Sequence, residues 1–161
     1  MVVIRLVQTL MVGAVGLFAA LVAFDNVTDY DTNFAFVQHV LSMDTIFPDS
    51  GLKWRAITDP QVHHIAYAAI IAAEALTGLL CLLGTLSMLT AIGQPLDDFV
   101  HRKTLAFLGL GLGFLVWFFG FLVVGGEWFQ MWQSDVWNGQ AAAFRFLGSI
   151  GLVLIFLCYE R

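Results

Sequence analysis

Charged residues are scarce in this chain: they make up 12% of its 161 residues, whereas hydrophobic residues make up 60%. Soluble domains carry roughly 25% charged residues, so lipid rather than a large protein core must cover the excess apolar surface. The formal net charge is -5, with only seven Lys and Arg residues. This balance excludes a basic surface for nucleic acid. The composition therefore indicates an integral membrane protein.

Cysteine and the usual catalytic motifs are also lacking. Cys81 and Cys158 both lie in apolar stretches, with neither metal-ligand nor disulfide spacing. No G-x-S-x-G, H-E-x-x-H, P-loop or C-x-x-C motif occurs. The histidines do not occupy matched mid-span positions that would suit the axial ligation of haem. We therefore predict no metal, no haem and a non-enzymatic protein; an enzyme at the outer face would have to use His39, His63 or His64.

Long apolar stretches predict the fold. A helix needs about 20 apolar residues to cross a bilayer, and four stretches qualify: residues 6–24, 62–89, 104–124 and 141–159. We predict an all-α fold, a four-helix transmembrane bundle that forms a single membrane domain over residues 1–161. The predicted connections are two outer loops with short interfacial helices and one inner loop, at residues 25–61, 125–140 and 90–103.

The first stretch is better explained as a spanning helix than as a cleaved signal peptide. Its apolar run exceeds the ~7–15 residues of a signal-peptide core, and no clean A-x-A site precedes Asp25. Basic residues predict the orientation. Lys53 and Arg55 lie on the predicted outer side, and Arg145 lies just inside that edge. The basic residues of the opposite side are Arg5, Arg102, Lys103 and Arg161. Both termini are therefore expected in the cytoplasm.

An acidic residue interrupts the second apolar stretch. Glu74 lies near its middle, where an ionised side chain costs at least ~2.5 kcal/mol in the bilayer. At helical spacing, His63, Tyr67, Glu74 and Cys81 share one face, which we expect to point into the bundle. Glu74 is either a satisfied interior residue, protonated or hydrogen-bonded to a neighbour, or part of a site. The candidate residues for a ligand or a proton are His63, Tyr67 and Glu74. A pocket between the second and fourth spans, walled by Tyr67, Glu74 and Trp128, would bind a quinone, a lipid or a proton.

Aromatic residues concentrate in the second outer loop. Trp128, Trp132 and Trp137 are typical either of a membrane-interface belt or of a surface that contacts a partner. Gly109 and Gly113, on the third span, form a face of small residues that suits close helix contact within the bundle or with a partner. We therefore treat these five residues as a candidate partner interface.

Arg145 lies near the start of the fourth predicted span, where the helix dipole disfavours a cation. Its side chain is expected to extend outward and to seek an acidic partner. Glu127, at the opposite end of the same loop, is the first candidate, and Asp135 is the second. We predict a structural ion pair between Glu127 and Arg145.

Several long segments resemble a known family. The most distinctive are LVAFDNVTDYDTN (residues 21–33), FAFVQHVLSMD (34–44), IIAAEAL (70–76) and VGGEWFQMW (124–132). In these the chain is similar, nearly end to end, to a bacterial family of predicted small four-helix integral membrane proteins without an assigned function. The resemblance implies the inner membrane of a Gram-negative bacterium. It supplies no catalytic residues.

These observations favour a small accessory subunit that packs within a larger inner-membrane complex, either respiratory or transport. The expected partners are membrane lipids and either a larger complex or further copies of the chain. The alternative is a quinone-, lipid- or proton-binding protein that uses the pocket around Glu74. We predict no bound cofactor, although a quinone or a lipid would suit this alternative.

Overall fold

The computed structural model describes residues 2–159, and within that range the chain folds into helices joined by short loops. Arg161, one of the residues used to predict orientation, lies outside the described range. The α-helices are α1 (Val2–Thr28), α2 (Tyr30–Ser42), α3 (Pro60–Leu89), α4 (Leu96–Arg102), α5 (Thr104–Leu115) and α6 (Gln140–Leu157). Helix α5 continues directly into a π-helical segment, Val116–Trp128. Single 3-10 turns occur at Lys53–Arg55 and Met131–Gln133.

Four helices are long and apolar enough to cross a membrane: Val2–Thr28, Pro60–Leu89, Thr104–Trp128 and Gln140–Leu157. This confirms the predicted all-α fold with four spanning helices. Short helices lie between them, as predicted: α2 and a 3-10 turn in the first outer loop, and a 3-10 turn in the second. The inner loop also holds a short helix, α4, and residues 125–128 belong to the third spanning helix.

We call the end of the bundle that holds Arg5 and Lys103 the inner end, and the opposite end the outer end. At the inner end, Arg5 Nη1 donates to the carbonyl oxygens of Ile92 (3.1 Å) and Gln94 (2.6 Å), beyond the end of α3. Lys103 Nζ donates to the carbonyl of the last residue of α6, at 2.8 Å. Both cations also lie over the ring of Phe99. Buried basic side chains thus satisfy carbonyl groups of the inner loop, through Arg5, and of the end of α6, through Lys103.

Small residues bring α1, α3 and α5 together. A Cβ atom on Gly78 would lie 2.8 Å from the backbone nitrogen of Ala20, and one on Gly84 would lie 2.6 Å from that of Ala106. Helices that approach this closely gain van der Waals contact along their backbones, which is the main source of helix association in lipid. These contacts make the inner half of the bundle the tightly packed part of the molecule.

Gly109 and Gly113 belong to this internal packing, so their assignment to a partner interface is wrong. Both are buried. A Cβ on Gly109 would lie 2.6 Å from Cys81 Sγ, and one on Gly113 would lie 2.9 Å from Thr77 Cγ2. The small-residue face of the third spanning helix is covered by α3 of the same chain, which leaves no room there for another protein.

Candidate functional site

The side chain of Asn26 connects the buried polar groups at the outer end of the bundle. Its Nδ2 donates to Glu74 Oε2 at 2.7 Å, and its Oδ1 accepts from Asn33 Nδ2 at 2.8 Å. Its backbone carbonyl accepts from the hydroxyl of Tyr67 at 3.2 Å. Glu74 and Tyr67 are only 2% and 1% exposed. Tyr67 and Glu74, two of the predicted site residues, are therefore joined through Asn26, which the sequence analysis assigns to the first outer loop.

This contact also fixes the level of Glu74. Asn26 lies in the last turn of α1, so Glu74 lies level with the outer end of α1 although it is near the middle of α3. Helix α3 extends past the end of α1 on this side. Its outer half packs against α2, where Phe34 stacks on His64 with ring centroids 4.1 Å apart.

A cavity of about 370 Å³ opens beside Glu74, between α1, α2, α3, α6 and the π-helical segment. Polar residues line one part of it and aromatic residues another. The polar lining residues are Asp25, Asn26, Asn33, Tyr67 and Glu74, and the aromatic ones are Phe36, Trp117, Phe121 and Phe146. Glu74 Oε1 has no hydrogen-bond partner among the described residues. The cavity therefore presents an unsatisfied acidic oxygen to whatever enters it.

A second cavity of about 420 Å³ forms a groove between α2, α3 and the third spanning helix. Its lining is apolar and includes the small side chains of Ala66, Ala69 and Ala73. Leu115 and Phe119, at its edge, are 55% and 57% exposed, so the groove opens on the lateral surface of the bundle. The groove and the polar cavity share four lining residues, Phe36, Val37, Ile70 and Phe121. An apolar lateral entrance thus adjoins an acidic interior.

The π-helical segment forms one wall of both spaces. Trp117 and Phe121 line the polar cavity, while Phe119, Gly120 and Phe121 line the groove. A π-helix bonds each N–H one residue further back than an α-helix does, and such segments are rare and frequently found at functional sites. Thirteen consecutive residues in this geometry are unusual. This segment begins where the close contacts of Gly109 and Gly113 with α3 end.

His63 is buried but does not line the polar cavity. Its Nε2 lies 2.7 Å from the carbonyl oxygen of Ile57, so this nitrogen carries the proton and donates it. Its Nδ1 is enclosed and has no partner among the described residues. The neighbouring His64 instead meets the hydroxyl of Tyr30, at 2.8 Å. His63 thus connects α3 to the preceding loop and stands apart from the cavity that holds Glu74 and Tyr67.

The tryptophans of the second outer loop lie outside the cavity. Trp128, 48% exposed, contacts the guanidinium group of Arg55 at 4.6 Å from the ring centroid, and Trp54 lies on the same cation. Trp132 packs edge-on against Phe47. The prediction that Trp128 walls the pocket is therefore wrong. The indole on the cavity wall is Trp117, which is part of an apolar span and had given no polar signal.

Trp137, the remaining tryptophan of the predicted interface, packs on a side chain of the same chain. It stacks on the ring of His39, with centroids 4.5 Å apart, and His39 Nδ1 in turn lies 2.7 Å from a carboxylate oxygen of Asp44. Trp137 is half-buried as a result. It connects the second outer loop to α2, which holds one end of the cavity in place.

The predicted ion pair between Glu127 and Arg145 is not formed: both side chains are exposed, and no salt bridge joins them within the described part of the chain. The loop between them is held by other contacts. Phe129 N donates to the carbonyl of Val124, and Gln130 Nε2 donates to the carbonyl of Glu127. Arg145 lies on the outward face of α6, opposite the buried Ala143 and Leu147.

The fold and the site define a class: an integral membrane protein with four apolar spanning helices and a polar cavity near one end. The chain belongs to the family described as predicted small integral membrane protein (DUF2165), whose model matches residues 4–160. The resemblance found in the sequence is thereby confirmed. No curated protein and no solved structure is significantly similar to the chain. The site must therefore be interpreted from its own chemistry.

Proposed function

We propose that this protein binds an amphiphile of the membrane, with the apolar tail in the lateral groove and the polar head group in the cavity at Glu74. The observation that carries the proposal is the shared wall between an apolar groove open to the side and a polar cavity with a buried acid. Ligand sites in proteins are typically apolar clefts with a few convergent polar groups. Both parts are present here side by side, with four lining residues in common.

The tail would enter where Leu115 and Phe119 are exposed. In lipid, an apolar chain in this groove exchanges contacts with other lipid tails for contacts with alanine, valine and phenylalanine side chains. That exchange alone favours the bound state only weakly, since both surroundings are apolar. The groove therefore guides the molecule, while the head group supplies the specificity.

Among the described residues that line the two spaces, those with charged or hydrogen-bonding side chains line the cavity, and the head group would meet them there. Acidic residues within spanning helices are costly and face the interior of a bundle or a water-filled cavity. Glu74 Oε2 is held by Asn26, which orients the carboxyl group of this cavity-lining residue. A head group that bonds to Oε1 would satisfy an acidic oxygen that has no partner among the described residues.

The groove can be tested with a substitution that fills it without disturbing the backbone. A Cβ on Gly120 meets no atom within 4 Å, so Gly120→Leu places an apolar side chain in the groove. The matched control is Gly111→Leu, which is equally free of contacts but lies outside the groove. The measurement is crosslinking by a lipid with a diazirine in its alkyl tail, mapped by mass spectrometry.

Wild-type protein and Gly111→Leu are expected to label strongly within residues 66–73 and 112–125. Gly120→Leu should reduce that labelling several-fold while the rest of the lipid-facing surface labels as before. Uniform labelling along all four spanning helices, unchanged by Gly120→Leu, would contradict the proposal.

The second candidate is the accessory-subunit function, in which the chain packs within a larger membrane complex. Its support is the aromatic surface formed by Phe47, Trp54, Trp128 and Trp132. These side chains are exposed, with Trp54 at 71%; Trp128 is the last residue of the third spanning helix, and the other three lie in the loops beyond the spanning helices. Aromatic residues are enriched in protein interfaces and also in interfacial belts, so an experiment must separate a partner from lipid.

A photo-crosslinking residue at position 54 tests this surface, with position 152 as the control, because Leu152 is equally exposed but lies on a spanning helix. One defined protein adduct at position 54, absent at position 152 and lost on Trp128→Ala, is expected. Lipid adducts alone at both positions would exclude the accessory function.

We further propose a bacterial inner membrane with the inner end of the bundle in the cytoplasm. Arg5, Arg102 and Lys103 lie at that end, and the cytoplasmic side of membrane proteins is rich in such residues. Single cysteines introduced at positions 94 and 49, in a chain lacking Cys81 and Cys158, test this orientation. An impermeant maleimide applied to intact cells should label position 49 only. Labelling of position 94 alone would show the opposite orientation.

A further inference from the structure

We propose that the head group recognised at Glu74 is an organic cation, an ammonium group carried on an apolar tail. The inference rests on the proposed amphiphile binding and names the chemical class of the ligand. It follows from the charges that line the cavity and from the aromatic rings that surround them.

The first argument is the sign of the charges. Two carboxyl groups line the polar cavity, Asp25 at its exposed edge and Glu74 at its buried end. None of the cavity-lining residues is Lys, Arg or His. An anionic head group such as a phosphate would therefore meet acidic oxygens with no cation to offset the repulsion. A positive head group would be attracted by both acids.

The second argument is the balance of hydrogen-bonding groups. The hydroxyl of Tyr67 already donates to the Asn26 carbonyl, and one Nδ2 hydrogen each of Asn26 and Asn33 is also engaged. Glu74 Oε1 and the Asp25 side chain remain as acceptors without partners among the described residues. The free donors, the second Nδ2 hydrogens of Asn26 and Asn33 and the indole N–H of Trp117, are neutral groups, whereas the free oxygens of Glu74 and Asp25 belong to carboxyl groups. These acceptors suit a cation better than a carbonyl group.

The third argument is the aromatic wall. Phe36, Trp117, Phe121 and Phe146 all line the same cavity as the two acids. The faces of aromatic rings attract cations, and rings grouped around a pocket are a recurrent means of recognising quaternary ammonium groups. A neutral alcohol would gain nothing electrostatic from these rings. The combination of acids, rings and the absence of basic side chains therefore selects a cation.

The test compares dodecyltrimethylammonium, dodecylamine, dodecanol and dodecyl phosphate, which share one tail and differ in the head group. Binding is measured by native mass spectrometry of the purified protein released from a maltoside detergent. We expect saturable binding of one molecule per chain for the two cations, at least about tenfold tighter than for dodecanol, and weaker still for the phosphate. Tighter binding of dodecyltrimethylammonium than of dodecylamine would show that the aromatic wall contributes more to the affinity than hydrogen bonds do. Tighter binding of dodecylamine would show the reverse.

Two acid-to-amide substitutions locate the effect. Glu74→Gln keeps an oxygen that can accept from Asn26 but removes the charge, and it should weaken cation binding about tenfold while leaving dodecanol within about twofold. Asp25→Asn, at the exposed edge, should weaken it several-fold and keeps the test available if Glu74→Gln fails to fold. Asp31→Asn is the matched control, because Asp31 is an exposed acid outside the cavity and its change alters the net charge equally.

Equal affinity of the wild-type protein for dodecanol and for the cations would overturn the inference and leave amphiphile binding intact. Cation binding that falls as much in Asp31→Asn as in Asp25→Asn would also overturn it, since the effect would then be one of net charge. If none of the four probes binds, or if Gly120→Leu leaves their binding unchanged, the result would instead contradict the proposed function itself.

Discussion

The inner and outer halves of this bundle use the same helices in opposite ways. In the inner half, glycines on α3 and on the third spanning helix bring backbones into contact. There, Arg5 binds carbonyl groups of the inner loop and Lys103 binds the carbonyl group at the end of α6. In the outer half, the third helix takes π geometry and alanines replace larger side chains on α3. A cavity and a groove separate the helices there. Stability is concentrated in one half and capacity for a ligand in the other.

This difference teaches how a small membrane protein holds a buried acid. Water cannot stabilise Glu74 as it would on a soluble surface, so the carboxyl group needs a fixed partner. Asn26 supplies it from the last turn of α1, whose position is set by the contacts of Ala20 and Gly16 with α3 further in. The tightly packed half therefore positions the group that the open half presents.

The strongest way to break the comparison is to add a side chain in the inner half. Gly84→Leu drives a Cβ to within 2.6 Å of the Ala106 backbone nitrogen. Overpacking of this kind costs about 3 kcal/mol or more, because backbone rather than a flexible side chain must move. We expect a large fall in the thermal unfolding midpoint in detergent. A midpoint equal to that of Gly111→Leu would show that α3 and α5 are not packed as described.

The second prediction concerns the inner helix ends. Arg5→Met retains an apolar stem but removes two hydrogen bonds to carbonyl groups and the contact with Phe99. Loss of a charge-assisted hydrogen bond costs about 2 kcal/mol. Arg102→Met is the control, because Arg102 is exposed at the same end. Denaturation by a titrated ionic detergent should separate the two variants; identical curves would refute the role given to Arg5.

The third prediction concerns the partner of the buried acid. Asn26→Ala leaves Glu74 Oε2 without its donor, at a cost of about 1 to 2 kcal/mol. Asn33→Ala removes a hydrogen bond from an exposed residue and should cost about 0.5 kcal/mol. When the thermal unfolding midpoints of the two variants are measured side by side, that of Asn26→Ala should be the lower. If Asn33→Ala is the more damaging change, the polar cluster depends on its surface contact rather than on Asn26.

The smallest expected effect sharpens the contrast between the halves. Gly120→Leu introduces the same side chain as Gly84→Leu but into open space, so the unfolding free energy should change by no more than about 0.5 kcal/mol. The two leucine variants thus probe one substitution in two surroundings. A loss as large as that of Gly84→Leu would mean that the groove is closed in the folded protein.

Much of the fold followed from hydropathy alone, since long apolar stretches have few alternatives in a bilayer. The buried stripe on the second span was also predictable: His63, Tyr67, Glu74 and Cys81 are all buried. These features depend on local composition and on helical spacing, both of which can be read directly from the sequence.

The partners of that stripe were not predictable in the same way. Asn26 had been placed in a loop because polar residues end the apolar run, yet α1 continues through it to Thr28. Trp117 lies within an apolar span without a neighbouring polar residue, so the sequence does not indicate that its indole lines a cavity. Gly109 and Gly113 were recognised as packing residues, but only the neighbouring Cys81 and Thr77 decide which partner they pack against.

One of the chain's five tryptophans lies on the cavity wall; of the other four, Trp128 ends the third spanning helix and three lie in the outer loops. Replacing Trp54, Trp128, Trp132 and Trp137 with phenylalanine would therefore leave a single indole, at position 117, beside the candidate site. The fluorescence emission of this single tryptophan would report on the surroundings of the cavity. Occupancy of the cavity could then be followed in a native lipid bilayer without attaching any dye.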